Sequence, residues 1–200
     1  MADPLNKKQK TRVSKALSYA LRHGINKLKL DMDTEGFVKL DDLLNHSDLP
    51  VLNGVTHSQI QEVVDTNEKK RFTLKNEQNN LYIRANQGHS KDVGQKLDDD
   101  LHLTRITTPY ETCVHGTNRK VLSAIMKNGL APMGRKHVHF AKGTTDDTDV
   151  ISGMRTTASV KIYIDMERAM ANGIEFYESD NGVILCPRTV APEYFSRIEK

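Results

Sequence analysis

The 200-residue chain has no tryptophan, only two cysteines and no long apolar run. Without such a run no membrane span is expected. The opening Met1-Ala2-Asp3-Pro4, followed by Lys7, Lys8, Gln9 and Lys10, lacks the apolar centre of a secretion signal, so an intracellular protein, cytoplasmic or nuclear, is expected. Cys113 and Cys186 have no CxxC or Cys/His spacing. That argues against a zinc site and, in a reducing compartment, against a disulfide; both thiols are expected to be buried as small apolar groups. No paired carboxylates or metal-ligand cluster compete for the chemistry, so no metal is expected. Internal repeats and low-complexity tracts are missing too.

What is present is an ordinary globular composition, 37% hydrophobic and 28% charged, enough for a real core. The net charge is a mild +3, but Lys7, Lys8, Lys10, Arg12, Lys15, Arg22, Lys27 and Lys29 crowd the N-terminal region. Such an excess suits a phosphate-rich partner and equally suits a solvated basic tail.

Val13, Ala16, Leu17, Ala20 and Leu21 recur at helical spacing. They predict a helix capped by Ser14, closed by Arg22 and His23 and stopped by Gly24. Residues 36–40 read as a short strand and Asp41 as the start of a short helix. Thr56 caps a further helix with Ile60, Val63 and Val64 inside. Residues 71–75 and 81–85 flank the turn-rich 76–80, a β-hairpin. Helices followed by a two-stranded wing predict a winged-helix lobe over residues 1–92. A polar linker over 93–108 then leads to a strand-rich lobe over 109–200. There 113–115, 138–140, 160–165, 176–177 and 183–185 read as strands, and 118–128 as a helix ended by Gly129. Helix-led and strand-led halves make the fold class α+β.

Arg22-His23 places a planar cation beside a titratable imidazole, useful for gripping phosphate and moving protons; basic residues also end helices simply because they meet the dipole. Lys69-Lys70-Arg71 fits a phosphate contact or a solvated turn. Asn86-Gln87-Gly88-His89-Ser90 has the composition of a polyanion site and of an ordinary loop. His115-Gly116-Thr117 ends a strand and enters a helix whose first N–H groups could meet a phosphate. Of His137 and His139, only one is expected to enter a given cleft. Ser152-Gly153-Met154-Arg155 sets a small, close-approach stretch before an arginine, and Asp180-Asn181-Gly182 is a turn signal.

Taken in order, Ser14-Lys15-Ala16-Leu17-Ser18 with Leu21-Arg22-His23, Lys70-Arg71-Phe72, Ala85 through Ser90, His115-Gly116-Thr117, His137-Val138-His139, Ile151 through Arg155 and Asn181-Gly182-Val183 resemble the NAD-dependent RNA 2′-phosphotransferase family, in its eukaryotic branch. The resemblance runs from about residue 14 to about residue 197. It implies an N-terminal winged-helix lobe that holds RNA and a C-terminal lobe with an ADP-ribosyltransferase-like fold that holds NAD. It assigns the essential catalytic residues to Arg22, His23, Arg71 and Arg155. The RNA 2′-phosphate would meet Arg22, His23, Arg71, Gln87, His89 and Ser90. The NAD pocket carries over to His115, Gly116, Thr117, His139, Ser152, Gly153 and Val183. Val183 stands where ADP-ribosyltransferases carry a glutamate, which speaks against protein mono-ADP-ribosylation. The 143–149 loop, with three aspartates, receives no role.

The implied reaction uses NAD as co-substrate and no metal. The RNA 2′-phosphate attacks C1″ of the nicotinamide ribose and expels nicotinamide; the 2″-hydroxyl then attacks phosphorus, releasing 2′-hydroxyl RNA and ADP-ribose 1″,2″-cyclic phosphate. Spliced tRNA is the implied substrate, and a monomer is expected. Two alternatives stay open: an ADP-ribosyltransferase acting on terminal phosphates of nucleic acids, and a non-catalytic RNA-binding or NAD-sensing module.

Overall fold

The computed structural model describes residues 3–143 and 158–200, so Ser152, Gly153, Arg155 and the aspartates of the 143–149 loop lie outside the described residues. The chain divides into two compact units, Met1–His102 and Leu103–Lys200. Both mix helices with small antiparallel sheets.

In the first unit, α1 runs over Lys7–Tyr19 and passes into a π-helical turn, Ala20–Gly24. The predicted start at Ser14 is wrong by two turns. Asn6 is the cap: its side chain accepts from the Gln9 backbone N–H while the Gln9 side chain accepts from the Asn6 N–H, a capping box. The first turns are lysine-rich and present no apolar face; only Val13 and Leu17 of α1 are buried. Gly24 is not a stop either. It sits buried inside the π turn, where a Cβ would come within 2.9 Å of Leu28 Cδ1.

Next come β1 (Val38–Lys39), α2 (Leu40–Leu44) and α3 (His57–Asp65), the last capped by Thr56 as expected, again with a capping box to Gln59. The hairpin is longer than its sequence suggested: β2 (Phe72–Glu77) and β3 (Asn80–Ala85) meet at Gln78-Asn79, with φ of 50° and 63°. Two consecutive left-handed residues match the right-handed strand twist. The sheet order is β1-β3-β2, and Ile83 pairs with Val38 on one side and Leu74 on the other. Leu17, Leu21, Ile25, Leu40, Leu43, Leu52 and Ile60 pack with Ile83 into one core. Two short helices, α4 (Lys91–Gly94) and α5 (Asp99–His102), belong to this unit. Val93 and Leu97 are buried in its core.

The second unit contains β4 (Thr104–Arg105), β5 (Val114–Thr117), α6 (Arg119–Asn128), β6 (Val138–Phe140), β7 (Val160–Ile164), α7 (Met166–Ala171), β8 (Tyr177–Glu178), β9 (Ile184–Cys186), a 3₁₀ turn at Pro192–Tyr194 and β10 (Phe195–Glu199). Two antiparallel sheets form, β10-β7-β5 and β4-β8-β9-β6. Phe140, Phe176, Ile162 and Ile184 anchor the core, with both cysteines free and buried in it. Burial pushes the Cys186 thiol up to about 11 and Cys113 further up, so both stay protonated and unreactive. A two-way bridge joins the sheets: Val114 N–H donates to Ala141 O at 3.0 Å and Ala141 N–H to Val114 O at 2.8 Å.

Candidate active site

In the first unit a five-residue loop, 86–90, holds two of the arginines singled out in the sequence. Ser90 donates to the Arg22 carbonyl twice, from its N–H at 2.9 Å and its hydroxyl at 3.0 Å. Gly88, at φ 91°, lets the Arg22 side chain lie against the loop; a Cβ built there would sit 3.5 Å from Arg22 Cδ, Nε and Cζ. At the other end, Asn86 N–H donates to the Arg71 carbonyl at 2.9 Å and its side-chain amide to the Lys70 carbonyl at 2.9 Å. Thr73 donates to Asn86 Oδ1 at 2.7 Å. Lys70 is held at φ 41°, a left-handed conformation costly for a residue that carries a Cβ and therefore dependent on such anchors. Arg71 Nη1 donates to Asn67 Oδ1 at 3.1 Å, which fixes the direction of its guanidinium.

Arg22 and Arg71 are half-buried and His23 is exposed, all three in the first unit. Gln87 and Ser90 are half-buried on the loop. His89 is different. It is 3% exposed and packs edge-on against His102, ring centres 5.1 Å apart. His102 Nδ1 donates to the Glu35 carbonyl at 2.8 Å, and Arg84 Nη1 donates to the same oxygen at 3.1 Å. His89 therefore braces the loop from inside. Asn67 and Asn86 are the residues that sequence reasoning passed over; Asn86 stood in the quoted loop, whereas nothing in the pattern around Asn67 marks it.

In the second unit, His115, Gly116 and Thr117 lie on β5 and line a groove of about 800 Å³. The groove is walled by one face of α6, through Val121, Ala124, Ile125 and Asn128, by the 129–135 segment and by β6. Both His137 and His139 line it, against the expectation that only one would: residues two apart on a strand share a face. Val121, Ile125 and Met133 supply apolar wall, a contribution with no motif to announce it. His115 Nδ1 donates to the His139 carbonyl at 2.8 Å, which leaves Nε2 as an acceptor. Burial holds the His115 imidazole below the usual histidine value, partly opposed by that hydrogen bond, so the ring is neutral. Val183 does not line the groove. It is 1% exposed, in a small apolar cluster with Leu103, Tyr177 and Leu185.

The described residues include no group of three or more His, Cys, Asp or Glu able to hold a metal ion, and no helix long and apolar enough to cross a membrane. The sequence profile of the RNA 2′-phosphotransferase, Tpt1 / KptA family matches residues 8–188. The chain is 44% identical to mouse (Mus musculus) tRNA 2′-phosphotransferase 1 over 96% of its own length and 78% of that protein's. It is 43% identical to the human (Homo sapiens) protein of the same name, over 96% and 76%. Against the tRNA 2′-phosphotransferase of Saccharomyces cerevisiae it is 36% identical, over 89% and 79%. The arginine-anchoring loop and the groove both lie within the matched stretch, and the chain belongs to the RNA 2′-phosphotransferase, Tpt1 / KptA family of transferases.

Proposed function

We propose that the protein removes an internal 2′-phosphate from RNA, with spliced tRNA as substrate, and transfers it to NAD. The first unit is read as a winged-helix RNA lobe, from its helices and its β1-β3-β2 sheet. The second is read as an ADP-ribosyltransferase-like NAD lobe, from its paired antiparallel sheets. The observation that carries the reading is the 86–90 loop, which anchors the backbones of Arg22 and Arg71 together. Two permanently charged planar groups set by one rigid loop suit a phosphate dianion whose charge shifts during reaction.

In the first step a 2′-phosphate oxygen forms a bond to C1″ of the NAD ribose as the bond to nicotinamide breaks. Neutral His115 offers Nε2 to a ribose hydroxyl; Gly116 and Thr117 offer close backbone approach to the dinucleotide, and the apolar wall from Val121 and Ile125 receives a flat ring. In the second step the 2″-hydroxyl, releasing its proton to solvent, forms a bond to phosphorus as the bond from phosphorus to the RNA 2′-oxygen breaks, and that oxygen leaves with a proton. Arg22, Arg71 and Arg155 stabilise the oxygens, and His23, exposed beside Arg22, is the proton donor. His139, Ser152 and Gly153 complete the dinucleotide contacts; Gln87 and Ser90 those to RNA. His89 and Val183 enter as packing that holds these groups.

The test is incubation with a 2′-phosphorylated oligonucleotide, with and without NAD, followed by mass analysis. Dephosphorylated RNA, nicotinamide and an ADP-ribose cyclic phosphate, formed only with NAD, are expected. A stable ADP-ribosylated RNA as the end product, or phosphate release without NAD, would overturn the reading.

A further inference from the structure

Charge in the first unit is segregated along the chain. Residues 1–30 carry eight Lys and Arg against one acid, residues 31–68 one against nine, and residues 69–97 seven against two. The two basic stretches meet on one surface, because α1 and the segment between α3 and β2 wall a groove of about 540 Å³. Its cations are Lys7, Lys10, Lys15, Lys69 and Arg71, and the sole acid among its lining residues is Glu68. Lys10 is committed to Glu62, 2.7 Å away, and so braces α1 on α3. Lys7 and Lys15 are exposed. They share with Thr11 and Ser18 a stripe of α1 that continues, four residues on, to Arg22. From Lys7 to Arg22 the rise is about 22 Å at 1.5 Å per residue, the reach of roughly six stacked nucleotides.

We infer that this groove is a track for the RNA backbone flanking the 2′-phosphate, with Lys7 and Lys15 pairing to phosphates several nucleotides from the reacting one. Cations separated by hydroxyls, with little apolar anchor, fit a repeated phosphate better than the buried side chains an acidic peptide would need. Backbone contacts carry no sequence information, so the track gives length dependence without base preference. The inference rests on the proposed function for the identity of the strand.

The experiment compares wild type with Lys7→Gln/Lys15→Gln by fluorescence anisotropy, using a dinucleotide and a dodecanucleotide of mixed sequence, each with one internal 2′-phosphate. A control, Lys96→Gln/Lys200→Gln, removes the same charge outside the groove. The groove variant is expected to lose roughly tenfold in affinity for the long RNA and little for the short one, and its slope of log affinity against log salt becomes shallower by about 1.4. The control keeps wild-type binding to both. Equal losses on both lengths, no loss on either, an equal effect of the control, or preferred binding of an acidic peptide would overturn the track. These arms need no turnover. Failure of the phosphotransfer assay with intact length-dependent binding would instead overturn the proposed function alone.

Discussion

Asn86 shows how much one buried amide can organise. It is 3% exposed and satisfies the Lys70 and Arg71 carbonyls and the Thr73 hydroxyl at once. Alanine would remove the amide's hydrogen bonds to the Lys70 carbonyl and the Thr73 hydroxyl and loosen a residue held at positive φ. Asn86→Ala is expected to lower stability by about 1–2 kcal/mol, the cost of losing two hydrogen bonds at partly buried groups. Chemical denaturation measures this; an unchanged midpoint would mean that the strand start is anchored elsewhere. His115 makes a second prediction. Its folded pKa lies below the unfolded value of 6.5, so the unfolded chain binds the proton more readily. Its stabilising contribution is full above 6.5 and falls as pH drops through that value toward the folded pKa. His115→Gln, which cannot titrate, is expected to flatten that part of the melting-temperature profile between pH 5 and 7 relative to wild type. Parallel profiles would show that the imidazole titrates normally.

At the scale of elements, what the sequence made legible was local. Thr56 as a cap, the hairpin, α6 and its stop at Gly129, and the strand 138–140 all announce themselves through capping residues, turn formers or period. The misses have physical causes. The start of α1 hid behind lysines, although Asn6-x-x-Gln9 was the signal. The π turn that carries Arg22 and His23 has no residue pattern separate from a helix. α7 is six residues long, and β10 alternates weakly because its stability comes from pairing with β7, far away in sequence. Among site residues, a histidine in a loop looks the same whether it faces solvent or packs on His102, so the burial of His89 could not be read in advance. Gly129 is the element most exposed to a test. It ends α6 at φ 81°, and a Cβ there would meet the Val190 carbonyl oxygen at 2.6 Å. Since Leu130 and Val190 exchange both backbone hydrogen bonds, the neighbour cannot move without losing them. Gly129→Ala is expected to cost at least about 2 kcal/mol, combining left-handed strain with overpacking. A denaturation midpoint within error of wild type would contradict this close approach.

For the molecule as a whole, the proposed function divides the chemistry between the units: arginines anchored by the 86–90 loop of the first govern the phosphate, and the groove of the second governs the dinucleotide. The two proposed steps make different demands. The first needs NAD held with C1″ reactive, whereas the second needs charge stabilised at a crowded phosphorus. His115→Ala damages the groove alone, so nicotinamide release and phosphate removal should slow together with no intermediate accumulating. Arg71→Ala leaves the groove intact and removes a clamp whose direction is set by Asn67. Loss of one preorganised charged donor is worth about 3 kcal/mol, or on the order of a hundredfold in rate, and here it falls on the second step. ADP-ribosylated RNA should therefore build up and resolve slowly to the 2′-hydroxyl product. A time course of labelled RNA on denaturing gels separates the three species. If Arg71→Ala, His23→Ala and Arg155→Ala all lost turnover without a transient ADP-ribosylated species, these residues would belong to the first step or to binding, and the division of labour between the units would have to be abandoned.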